Sequence, residues 1–224
     1  MAQMARREAR RSPKIRVSYT QGMFTPKAFN AGDVPKYGVT LMIDKTNKEQ
    51  MAFLTLLHRD LVECLNEQWP DESTRPRNPL TSGTRSPIKD GDATVNSQGI
   101  PLAEKNPEYA GHWIIRVGST SKPAVVDRNR VEITDQSRVY GGCWGIANLN
   151  AYAYNFKELQ KGATFGLNGF QLLEDGEPFG GGRPPVDKMF EAVTPEQTQP
   201  AAAGPDPFAG LNDAALPEDE APPF

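Results

Sequence analysis

The segment Val139–Phe156, VYGGCWGIANLNAYAYNF, limits what this chain can fold into more than any other. Gly145, Ala147, Leu149, Ala151 and Ala153 share one parity, and Trp144, Ile146, Tyr152, Tyr154 and Phe156 share the other. Successive strand side chains point to opposite faces, so one face is small and the other carries rings. That asymmetry suits a strongly bent strand, with Gly141, Gly142 and Gly145 permitting the bend. A long bent strand is a barrel component rather than part of a flat βαβ array.

Other segments agree. Lys14–Tyr19 (KIRVSY) places Ile15, Val17 and Tyr19 on one face and Lys14, Arg16 and Ser18 on a basic outer one. Further strands are predicted over 37–43, 112–118, 123–127, 130–133 and 163–173. One helix interrupts them: Thr46 and Glu49 have capping-box spacing, Leu54, Leu57, Leu61 and Leu65 recur at three and four, and Pro70 ends the pattern. Many short strands with one inserted amphipathic helix predict a mainly β fold, a small barrel.

Both flanks differ from this body. Residues 1–13 read as a flexible basic arm carrying Arg6, Arg7, Arg10 and Arg11, and the Pro-, Ser- and Thr-rich span 70–87 as a mobile loop with Arg75, Arg77 and Arg85. Beyond Met189 there is no Lys or Arg but seven acids, so the overall −3 divides into a body of +4 and a tail of −7. Low hydrophobicity and net charge predict that 191–224 is a disordered acidic tail. A basic body with an acidic appendage points to a nucleic-acid partner.

Catalytic patterns are missing. Cys64 and Cys143 belong to no C-x-x-C pair, His58 and His112 lack ligand spacing, and no nucleophile or phosphate-loop motif occurs. Asp90 and Asp92, with Asp127 or Asp135, have the chemistry of metal ligands, but turn residues explain them better. The expectation is a non-enzymatic protein with no cofactor and no metal. No leader-like h-region or run of about 18 apolar residues appears. A cytoplasmic protein without membrane contact is therefore expected.

Interleaved cations and rings are what a sequence-tolerant single-strand binder needs, since phosphates run along the strand and unpaired bases offer flat faces. The candidate rings are Phe24, Phe29, Tyr37, Trp113, Tyr140, Trp144, Tyr152 and Tyr154, at least half of them expected in the core. The candidate cations are Arg16, Lys27, Lys36, Lys89, Arg116, Lys122, Arg128 and Arg130. Arg128-Asn129-Arg130 stands out as a short polar turn with two arginines.

KIRVSY, MFTPKAFN, PKYGVTLMI, AGHWIIRVGS, KPAVVDRN, VYGGCWGIANLNAYAYN and GLNGFQLLEDGEPFGGGR, in that order and before an acidic end, resemble a family of bacteriophage single-stranded DNA-binding proteins over residues 14–190. The resemblance implies an OB-fold domain that coats single strands during phage replication or recombination in the host cytoplasm; because stacking needs unpaired bases, duplex DNA is expected to bind more weakly. On the matching motifs it implies DNA contacts from Arg16, Phe24, Lys27, Phe29, Lys36, Tyr37, Trp113, Arg116, Arg128, Arg130, Trp144, Tyr152 and Tyr154. PEDEAPPF resembles the aromatic-ended acidic tails of such proteins. This implies that Glu218, Asp219, Glu220, Pro223 and Phe224 dock on replication or recombination proteins, and opposite charge lets the tail compete with DNA. The alternatives are a strand-annealing or recombination mediator, and a virion assembly protein that does not bind DNA.

Overall fold

The computed structural model describes residues 4–28, 32–76, 86–96, 98–156 and 160–179. Its strands are β1 (Arg10–Arg11), β2 (Ile15–Ser18), β3 (Tyr37–Asp44), β4 (Ile88–Asp90), β5 (His112–Ser119), β6 (Ala124–Val126), β7 (Trp144–Phe156) and β8 (Gln160–Glu174). Two helices join them, α1 (Lys48–Gln68) and the single turn α2 (Leu102–Lys105). Pairing runs β2–β3–β5–β8–β7 and returns to β2, closing a five-stranded OB-type barrel as expected. Every pair in the ring is antiparallel except β5–β8, which meet in parallel at Gly118 and Gly166.

The parity expected of β7 holds. Ala147, Leu149, Ala151 and Ala153 are buried, whereas Trp144, Ile146, Tyr152 and Tyr154 are half-exposed. The bend arises differently from the expectation. Val139–Cys143 precede the strand as turns, and the register of the β7–β8 pair slips between Trp144 and Gly145 and again between Asn148 and Leu149. Leu173 and Asn168 are the extra residues on β8, and such bulges bend and twist a ladder. They also explain why the core side of β8 reads Phe165, Leu167, then Phe170, Leu172. Gly145 serves packing: a Cβ there would lie 2.6 Å from Phe170 Cε2 and 2.5 Å from Gln171 O.

The predicted stripe of α1 is buried, Leu54, Leu57, Leu61 and Leu65 joining Phe53 and Cys64 against β3, β7 and β8. Each such side chain contributes roughly 1.5–3 kcal/mol by leaving water. The N-cap is Asn47 rather than Thr46, its Oδ1 accepting from the N–H groups of Glu49 and Gln50 at 3.0 and 3.1 Å. Thr46 instead donates to Asp44. Residues 130–133 form no strand; Ile133 N–H donates to Val125 O and Glu132 makes a single bridge to Val126.

The basic arm is also different from the expectation of a flexible segment. β2 covers only the first residues of β7, and a bare strand edge attracts any free backbone. The arm fills the rest of that edge: Ser12 N–H donates to Ala147 O, Arg7 N–H to Ala151 O, and Ala153 N–H to Ala5 O, at 2.8 to 2.9 Å. Ala5 N–H donates to Gln68 Oε1 at 2.7 Å. The Arg10 guanidinium grips both oxygens of Asp60, whose side chain is 2% exposed, and Arg7 Nη2 lies 2.6 Å from Glu67 Oε2.

Arg10→Ala leaves a buried carboxylate without its partner and is expected to destabilise the fold by about 3–5 kcal/mol, read as a lower urea midpoint. Replacing both members, Arg10→Met with Asp60→Leu, is expected to recover most of that loss.

Candidate nucleic-acid interface

Tyr19 follows β2 with φ 54° and ψ 41°, the left-handed region that a bulky residue enters only under constraint. The constraint is the next turn. Thr20 Oγ1 donates to Val139 O at 2.7 Å, and Met23 of the 3-10 turn Thr20–Met23 is fully buried. The Tyr19 ring therefore leaves the core side that strict alternation assigns it and stands 61% exposed, its hydroxyl donating to Asn106 Oδ1 at 3.2 Å.

Beyond this turn, Lys27 and Lys36 exchange backbone hydrogen bonds at 2.9 and 3.0 Å. Directly opposed residues share a face, so two exposed lysines project from the same side, and like charges placed opposite one another disfavour the folded state. Tyr37 opens β3 next to Lys36. On β5, Ile115 and Val117 are buried, which turns Arg116 outward, where its guanidinium has no hydrogen bond or ion pair among the described residues. Burial and the charge of Arg116 hold the Lys89 amine below the ordinary lysine range.

These elements enclose a groove of about 700 Å³ that reaches the β7–β8 hairpin. Lys27, Lys36 and Arg116 are its cations and Tyr19, Tyr37 and Tyr152 its tyrosine rings, with the buried Phe165 behind them. Gly22, Gly38, Gly118 and Gly141 leave stretches of bare backbone in its wall, and Thr40 and Thr164 add hydroxyls. Among the described residues no carboxylate lines it. The Tyr152 ring rests across Gly166, where a Cβ would lie 3.4 Å from ring carbon Cε1, and burial pushes its phenol pKa up. The residue is half-exposed where it borders the groove.

Of the residues singled out in the sequence, Lys27, Lys36, Tyr37, Arg116 and Tyr152 meet here. The others lie elsewhere. Arg16 and Trp144 belong to a clasp at the start of β7: the Arg16 guanidinium stacks 5.6 Å from Trp144 and 4.3 Å from Phe179 and donates to Gly142 O and Glu177 O at 3.1 and 2.6 Å. Tyr140 joins that clasp by donating to Gly176 O at 2.9 Å. Arg128 donates to Leu173 O and pairs with Glu174, which also holds Lys14.

Trp113 is half-buried against the core beneath Lys45, whose amine is 5.4 Å from the ring and 2.6 Å from each of Asp90 Oδ1 and Asp92 Oδ2. Phe24 packs on the core and Tyr154 lies over Gly162. Lys122 faces Glu132 at 3.7 Å, and Arg130 is exposed at a turn with φ 67°. Phe29, Arg77, Arg85 and the tail residues Glu218, Asp219, Glu220, Pro223 and Phe224 lie outside the described residues. Tyr19, Thr40 and Thr164 were not singled out in the sequence, and for Tyr19 the available signal was its place at the end of an alternating strand, just before a glycine-containing turn.

The family described as Enterobacter phage Enc34, ssDNA-binding protein, matches residues 11–199. The chain belongs to this family. A protein designated p50 of Acyrthosiphon pisum secondary endosymbiont phage 1 is 23% identical over 189 residues, 83% of this chain and 94% of that one. Two solved structures share the fold. The single-stranded DNA-binding protein of bacteriophage Enc34 in complex with ssDNA superposes with a TM-score of 0.56 at 22% identity, over 77% of this chain and 89% of that one. A C-terminal truncation of the same protein gives 0.58 at 20%, over 80% and 99%. Among the described residues no helix is long and apolar enough to cross a membrane.

Lys36→Glu converts the opposed lysines into an opposite-charge pair. It is expected to raise stability by about 0.2–1 kcal/mol, seen as a higher thermal midpoint, although it removes a groove cation.

Proposed function

We propose that the chain binds single-stranded DNA along this groove without sequence preference, and coats it during phage replication or recombination. The observation that carries the reading is a groove with three cations, three tyrosine rings and no carboxylate among the described residues, in a chain of a phage single-stranded DNA-binding family. Phosphates would lie on Lys27, Lys36 and Arg116, and bases would stack on Tyr19, Tyr37 and Tyr152 at about 1–3 kcal/mol each. Stacking is indifferent to base identity and needs unpaired bases, so single strands bind better than duplex. Binding is stoichiometric; nothing is transformed.

Arg16, Trp113, Trp144 and Arg128 are read as frame residues that shape the barrel, because their charged or flat surfaces are already engaged by protein groups. The acidic tail is read in two roles. Phe224 with Pro223, Glu218, Asp219 and Glu220 would dock on replication or recombination proteins, the ring in an apolar pocket and the carboxylates on its basic rim. The same charge would compete for the groove.

A polarisation titration with labelled oligothymidine tests the reading on the full chain beside one ending at Met189. Log affinity is expected to fall with log salt at a slope of about −2 for three single-strand phosphate contacts, and Arg116→Ala to flatten it by about 0.7. Tyr19→Ala or Tyr37→Ala is expected to weaken binding roughly 5- to 140-fold. The chain ending at Met189 is expected to bind more tightly at low salt. Salt-independent affinity would overturn groove binding, and absence of saturable binding would favour a virion assembly role.

A further inference from the structure

The arm along the β7 edge carries four arginines, and the fold sorts them by face. Arg7 and Arg10 turn toward α1 and are neutralised by Glu63, Glu67 and Asp60. Arg6 and Arg11 are exposed, and neither has an ion pair or side-chain hydrogen bond among the described residues. Arg6 is bridged to Tyr152 and Arg11 is paired with Asn148. Directly opposed residues share a face, and on β7 that face is the outward one, because Ala147, Leu149, Ala151 and Ala153 fill the core.

This outward face is continuous with the groove. Tyr152 lines the groove, and the Arg6 charge lies close enough to its phenol to counter in part the rise that burial causes. From Tyr152 to Asn148 the strand spans roughly 13 Å. Asn148 Oδ1 accepts from Asn168 Nδ2 at 2.9 Å, so the way is polar. The arm's one carboxylate, Glu8, lies near enough to Arg10 to favour that guanidinium's charge.

We infer that the outward face of the arm is a second contact for single-stranded DNA, on which Arg6 and Arg11 hold phosphates of nucleotides leaving the groove past Tyr152. The inference rests on the groove reading above and extends it. Two arginines neutralised on one side pin the strand, and the backbone of the two left free on the other side is thereby held in place, Arg6 beside the groove ring Tyr152 and Arg11 farther along the strand at Asn148. A preordered cation loses less freedom on meeting a phosphate than one on a loose arm.

The experiment compares oligothymidines of about 6 and about 16 nucleotides, the first filling the groove alone, across a salt series with the full chain. Arg6→Ala with Arg11→Ala is expected to weaken the long oligonucleotide and flatten its salt slope by about 1.4, leaving the short one unchanged. Arg6→Lys with Arg11→Lys is expected to restore the slope, because phosphate contact follows charge. If the alanine variant binds both lengths as the parent does, the extension is overturned while the groove stands. Equal weakening of both lengths with an unchanged slope also overturns it, by making the arginines structural, as does failure of the lysine pair to restore the slope. Should Arg116→Ala leave the short oligonucleotide unaffected, the groove reading itself fails.

Discussion

The barrel depends on the antiparallel pairing of β7 with β8. Strands β2, β3 and β5 form a meander, and the hairpin joins its two ends, β7 against β2 and β8 against β5 at Gly118, beyond the stretch of β5 that β4 occupies. Its small inner face makes closure possible. Gly145, Ala147, Ala151 and Ala153 leave room for Phe165 and Phe170 from the partner strand, and the two β8 bulges curve the ladder without opening it. Because β7 is far longer than β2, its outer edge extends past the barrel seam. The N-terminal arm is ordered for that reason, by backbone groups that would otherwise face an unpaired edge.

Closure also decides which charges are spent on the frame. Glu174 ends β8 and gathers Lys14 and Arg128; Asp60 on α1 takes Arg10; Asp90 and Asp92 share Lys45. Arg16, between Trp144 and Phe179, holds the segment after β8 to the turn before β7. The cations around the groove have no such partners among the described residues. The contrast separates engaged from unengaged cations better than exposure does, since Arg128 is exposed and yet engaged.

Much of this was legible in the sequence. The α1 stripe and the two faces of β7 were readable because helix and strand periods project directly onto burial. Lys27, Lys36, Tyr37, Arg116 and Tyr152 were readable as cations and rings, though not as neighbours, since four separate segments bring them together. Tyr19 was misassigned because alternation presumes that the strand continues, and the left-handed turn at that residue ends it. The arm looked loose because its order comes from the β7 edge and from Asp60, 50 positions away from Arg10. Arg128-Asn129-Arg130 looked like spare charge for a related reason. Leu173 and Glu174, which engage Arg128, are remote in sequence and adjacent only through the β6–β8 pairing.

Placing Lys27 opposite Lys36, and Arg116 near Lys89, disfavours the folded state by itself, as like charges at close range repel. The Lys89 amine is depressed first by burial and then by the nearby charge of Arg116. Such a cluster persists when stability comes from elsewhere and an anion relieves it, and here the stability comes from an apolar core and from ion pairs set away from the groove. Along the chain the charge is divided, with +4 on residues 1–189 and −7 on the remainder. The total of −3 conceals this division because opposite charges cancel in a sum, whereas along the chain they are kept apart.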